Sequence, residues 1–195
     1  MECISQTSTK LHAGFNRGVP RGLMQHSCSI HTFERFTDTV FTVTADTLQP
    51  KFVLHRGETK NATATGFTKN QGDVGDFFIE DLFESDRYLF FKIRSVKENS
   101  EGEIYYGFFD KADGSTKISK NGAGINNDVD NFLPFRFQSA NQNNEIIGSR
   151  DAYEVKLWFG KNSEKAAKLP VSLQKLKDLE EADNPVVMIA KLKRQ

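Results

Sequence analysis

Two cysteines, Cys3 and Cys28, are all that this 195-residue chain contains. They stand outside any CxxC or clustered spacing, which excludes a thiolate zinc site and a dithiol redox motif and leaves at most one disulfide, open only in an oxidising compartment. Net charge is missing as well: 26 Lys and Arg balance 26 Asp and Glu. No overall field draws in a polyanion, so nucleic acid is not an expected partner. The densest cationic group, "KLKRQ" at the C-terminus, reads as a solvated tail. No stretch approaches the ~18 apolar residues of a membrane span, and the opening "MECISQTSTKLHAG" shows no apolar export signal. As written, the chain is expected to stay in the cytoplasm if its start is genuine. Histidine is scarce: His12, His26, His31 and His55 all fall in the first 55 residues and form no HExxH. A GxSxG elbow is absent, and "GAG" at 122–124 has neither the GK[ST] nor the strand-then-helix context of a phosphate loop.

What is abundant is phenylalanine, 17 residues of it, in a chain whose mean hydropathy is only -0.53. A phenylalanine core under a polar surface is therefore expected. Residues 1–28 are polar and dotted with glycine and read as a poorly ordered arm. "IHTFERF", "DTVFTVT" and "PKFVLHR" then give short, partly alternating runs rich in Thr, Val and Phe, the pattern of an antiparallel meander. A Gly, Asn and Thr-rich connection follows over 57–75; it contains Asn61-Ala62-Thr63, a glycosylation acceptor in a host that modifies such sites. "DFFIEDLFES", "RYLFFKIRS", "GEIYYGFFD" and "STKIS" make a second, four-strand meander, with Asp113-Gly114 as its strongest hairpin signal. Tyr88, Phe90, Tyr105 and Phe108 serve its core.

In the third stretch the periodicity changes. Ala152, Val155, Trp158 and Phe159 recur at helical spacing, which predicts a helix over about 151–159 with Gly160 as its C-cap. Leu173, Leu176 and Leu179 behind Pro170 predict a second helix over about 171–181. "VVMIAKLK" is a strand whose sheet must lie earlier in the chain. The expected class is all-β with a small helical insertion, and the recurrence of meanders at 40–45 residues matches propeller blades, with a sandwich as the rival.

"TDTVFTVTADTLQPKFVLHRG", "ESDRYLFFKIR", "YYGFFDKADG", "GINNDVDNFLPF" and "EEADNPVVMIAKLK" resemble, in that order, the C-terminal half of six-bladed β-propeller proteins of Bacteroides and relatives, a family of hypothetical proteins and candidate lipoproteins. The resemblance covers about residues 30–193. It implies a partial β-propeller over 29–195, with blades at about 30–56, 76–119 and 125–193 and the helices inserted in the last. It also implies an envelope or periplasmic location. Such proteins are about twice this length and carry a lipoprotein signal, so the chain is expected to be a truncated member or an arc completed by self-association.

The acidic turn "NNDVDN" is the leading ligand-facing candidate, through Asn127, Asp128 and Asp130, because clustered carboxylates and amides offer hard oxygen ligands. An Asx turn explains the same letters. Asp73, Asp76, Glu80 and Asp81 could hold the carboxylate pair of a glycosidase, and His31 and His55 could flank each other on adjacent strands. Trp158 and Phe159 are read as buried anchors ahead of a docking patch. No catalytic residue, cofactor or metal is assigned. The leading expectation is a non-enzymatic binding or interaction module for a glycan or protein ligand, and the alternative is a carbohydrate-active or other hydrolytic enzyme using acidic residues near the propeller axis.

Overall fold

The computed structural model describes residues 21–26, 29–34, 37–55, 77–95, 102–119, 122–141 and 144–192. Its described strands form three antiparallel sheets: β1 (Arg21–His26), β2 (Ser29–Glu34), β3 (Thr39–Val43) and β4 (Leu48–Val53) in that order; β5 (Phe77–Glu84), β6 (Tyr88–Ser95), β7 (Ile104–Asp110) and β8 (Thr116–Ile118) in that order; and β9 (Phe137–Ala140), β10 (Glu145–Arg150) and β11 (Val186–Lys191), with β10 central. The chain divides into two compact units, Met1–Ile104 and Tyr105–Gln195.

In the first unit Met24, Phe33, Val40, Phe78, Ile79, Leu82, Leu89, Phe90 and Phe91 are buried. Gly22 lies across from Phe33, and the ring occupies its missing side chain's place: a Cβ there would stand 2.0 Å from the ring. The polar arm expected over 1–28 is corrected here, because Arg21–His26 forms β1. Its hydrophobic content was too low to stand out, and it is held as an edge strand by register with β2 rather than by its own pattern. The remainder of that arm, Cys3, Cys28, the 57–75 connection with Asn61, and Asp73 and Asp76 lie outside the described residues.

Each sheet carries a register shift. Glu80 is passed over in the β5–β6 ladder, Lys51 in β3–β4 and Gln138 in β9–β10. These are β-bulges, which insert one extra residue and re-aim its side chain. The bulge in β5 explains why burial runs from Ile79 to Leu82 to Glu84, a step of three and then of two, where a regular strand keeps a step of two throughout.

In the second unit the β7–β8 hairpin closes through "DKADG": the Asp110 N–H donates to the Ser115 carbonyl, the Gly114 N–H to the Asp110 carbonyl, and Gly114 adopts φ +74°. Tyr106 meets Phe137 edge-on at 5.3 Å. Helix α1 (Ala152–Lys161), the turns α2 (Ser163–Ala166) and α3 (Val171–Gln174) and a 3-10 turn at Lys175–Asp178 separate β10 from β11. They cover a cluster of Phe132, Leu133, Val155 and Leu169, joined by Trp158, Phe159, Val186 and Met188. Two helix boundaries differ from expectation. Helix α1 runs through Gly160 to cap at Asn162, whose amide donates to the Trp158 carbonyl. The segment expected as one helix over 171–181 is an α turn followed by a 3-10 turn. Leu173, Leu176 and Leu179 are spaced three apart, which suits the 3-10 repeat better than the α repeat, and all three pack on the cluster.

Candidate functional site

Three polar constellations and one groove stand out. The first is buried in the first unit. The bulge at Lys51 sends its ammonium to Glu84 Oε2 at 2.8 Å and to His31 Nε2 at 2.9 Å. Because an ammonium only donates, His31 accepts at Nε2, and its Nδ1–H is assigned as the donor to Thr42 Oγ1 at 3.1 Å. The side chains of His31 and Glu84 are 1% and 3% exposed, against 27% for Lys51. This cluster ties β2, β3 and β4 to the end of β5. His55 is exposed beyond β4, so the structure does not bring the two histidines together as imagined from sequence.

The second constellation surrounds the bulged Glu80. Arg94 Nη2 donates to Oε1 at 2.8 Å, and the Lys92 ammonium faces Oε2 at 3.3 Å as a charge pair rather than a well-directed hydrogen bond. Burial alone would raise the carboxyl pKa. The Arg94 hydrogen bond and the charges of Lys92 and Arg94 outweigh it and hold the group below its ordinary value of 4.5. That is the opposite of what a glycosidase acid requires. Asp81 also lies 3.7 Å from Lys92. We expect Glu80→Gln to cost about 1–2 kcal/mol at pH 7, since it leaves two cations facing a neutral amide. The depressed pKa makes this contribution fully present above 4.5 and progressively lost as pH falls through the folded-state value. Urea midpoints of the two proteins should therefore converge in acid, and a gap that persists unchanged would refute the assignment.

The third is the acidic turn. Asn127 Nδ2 donates to Asp130 Oδ1 at 2.6 Å, Asn127 Oδ1 accepts from the Val129 N–H at 3.2 Å, and Asp130 Oδ1 accepts from the Phe132 N–H at 3.0 Å. Asn127 and Asp130 are thus brought together and serve the backbone that delivers Phe132 to the core. Asp128 lies within the same turn. Among the described residues no three His, Cys, Asp or Glu side chains are grouped to hold a metal.

The groove lies on α1, on the side away from Val155. It is a shallow, solvent-open depression of about 330 Å³, lined by Tyr153, Lys156, Leu157, Gly160, Lys161 and Glu181. Tyr153 and Leu157 are 49% and 39% exposed, four residues apart on one helix face. A Cβ at Gly160 would meet nothing within 4 Å. Trp158 and Phe159 point elsewhere: both pack on Phe132, at 4.8 and 5.8 Å. Sequence reasoning placed Gly160 at a helix end and so missed this groove.

Fold and sites together define an antiparallel, mainly β protein with a helical insertion between its last two strands. The chain belongs to the family described as domain of unknown function (DUF4934), whose model matches residues 16–191. Among solved structures it is similar to a candidate exported protein from Bacteroides fragilis, at 15% identity and a TM-score of 0.56, over 88% of this chain and 49% of that one. The chain thus spans about half the length of that protein. No curated protein matches it. Among the described residues no helix is long and apolar enough to cross a membrane.

Proposed function

We propose that this chain is a non-enzymatic binding module, built as an arc of a six-bladed propeller and working at the cell envelope. The propeller reading is supported by three antiparallel sheets following one another along the chain, beginning at Arg21, Phe77 and Phe137. The envelope reading is supported by the likeness to a candidate exported protein. The observation that carries binding is the α1 groove. Glycine inside a helix costs about 1 kcal/mol relative to alanine, and no close packing at Gly160 requires it. Gly160 leaves open space beside Tyr153, Leu157, two lysines and Glu181, into which a larger side chain would project. An apolar-bodied ligand carrying an anionic group fits that chemistry, its body against Tyr153 and Leu157 and its charge near Lys161, because Lys156 already faces Glu181 at 4.0 Å.

The probe is 8-anilino-1-naphthalenesulfonate, a flat aromatic with one anionic group. Saturable one-to-one binding is expected, weakened at least about ten-fold by Gly160→Leu, with unchanged far-ultraviolet circular dichroism. Gly160→Ala serves as the control, raising stability by about 0.5–1 kcal/mol through helix propensity. Equal affinity of the parent and the leucine variant would remove the groove as the ligand seat.

A further inference from the structure

Strand β11 closes one side of its sheet, and among the described residues no strand pairs with its outer edge. Val186 and Met188 face the helix-covered cluster, whereas Val187 and Ile189 are each 63% exposed on the opposite face. A six-residue strand of this kind, apolar but for its last residue, is a template for another strand. Its flanks differ in sign: Glu180, Glu181 and Asp183 precede it, and Lys191, Lys193 and Arg194 end or follow it. Only an antiparallel partner with the same flanks brings acid to base at both ends.

We propose that β11 pairs with β11 of a second copy, antiparallel about a twofold axis through Met188. The backbone parity agrees. The Leu192 N–H donates inward to the Asn144 carbonyl at 3.0 Å, and β10 pairs with β11 in unbroken register, so even-numbered residues bond β10 and odd-numbered ones direct their N–H and C=O outward. A twofold at Met188 sets Val187 opposite the partner's Ile189. Both are odd-numbered, so each such pair exchanges two hydrogen bonds, and both side chains lie on the same exposed face. Lys191 then falls opposite the partner's Pro185, whose carbonyl can accept. Sliding the register toward the N-terminus would carry Pro185, which has no N–H, from the end of the ladder toward its middle, so that slip is penalised.

Sedimentation velocity of the full chain across a concentration series up to about 100 µM tests this. A discrete dimer is expected. Ile189→Lys, a substitution on an exposed side chain, should raise the dimer dissociation constant at least about ten-fold with Trp158 fluorescence unchanged. Ile189→Pro deletes an outward N–H without removing a hydrogen bond to β10 and should act in the same direction. A monomer throughout the series, or a dimer indifferent to both variants, would overturn the proposal. The α1 groove and the β11 edge have only Glu181 in common, and none of the variants replaces it, so failure here leaves the dye-binding result to stand or fall separately.

Discussion

Replacing Arg150 by methionine is expected to cost about 3–5 kcal/mol, the largest single loss we anticipate in the second unit. Arg150 ends β10 with its side chain 2% exposed. Its Nε and Nη2 both donate to the Pro134 carbonyl, Nη2 also to the Ala123 carbonyl at 2.9 Å, and Nη1 reaches Glu154 at 3.4 Å. Burial, with Arg136 nearby, lowers the guanidinium pKa, and Glu154 opposes that shift. The two carbonyls belong to residues 122–136, where regular pairing is limited to the isolated Ile125–Phe135 bridge. One guanidinium thus substitutes for a missing ladder and joins this stretch to the first turn of α1. A buried ion pair can often be exchanged for apolar groups at little cost, but here the exchange would orphan carbonyl oxygens, each worth about 1–3 kcal/mol. Arg150→Lys keeps the charge and loses the fork, so it should fall between. Urea unfolding followed by Trp158, the only tryptophan, reports directly on this unit. A methionine variant within about 1 kcal/mol of the parent would show that water replaces the fork freely.

Arg150 also marks where sequence reading stops. The meanders, the insertion of helices before the last strand and the return of Val186 to the third sheet were all legible, because period-2 alternation, turn residues and a change to helical spacing are local signals. The bulges were not. One extra residue in a ladder shifts the facing of everything beyond it, and nothing in "FFIEDLFE" says that Glu80 is the residue passed over. Three of the side chains that matter most, Lys51, Glu80 and Arg150, acquire their roles chiefly from partners 12 to 33 residues away. The turn at Asn127 and Asp130 was readable because its bonds are local. The groove on α1 was hidden by a sound rule applied at the wrong place, glycine as a C-cap, when Asn162 performs that task.

In the first unit the order of two effects is the sharper expectation: Lys51→Met should destabilise by about 3–4 kcal/mol and Glu84→Gln by only about 1–2 kcal/mol. Both remove one charge of the same 2.8 Å pair, so a simple count of lost contacts would make them equal. Exposure separates them. Without Glu84's charge, the Lys51 side chain, 27% exposed, can turn its ammonium toward water along a flexible stem. Without Lys51, a carboxylate only 3% exposed remains inside, 3.5 Å from the His31 ring, and that ring loses the donor that set its tautomer. The glutamine variant also keeps an oxygen able to accept from Lys51. The double variant should fall short of additivity by about 1–3 kcal/mol, as two members of one network do. Should Glu84→Gln prove the costlier, the cluster would be held by the carboxylate's place at the end of β5 and not by the lysine that the β4 bulge delivers, and the bulge would then need a different explanation.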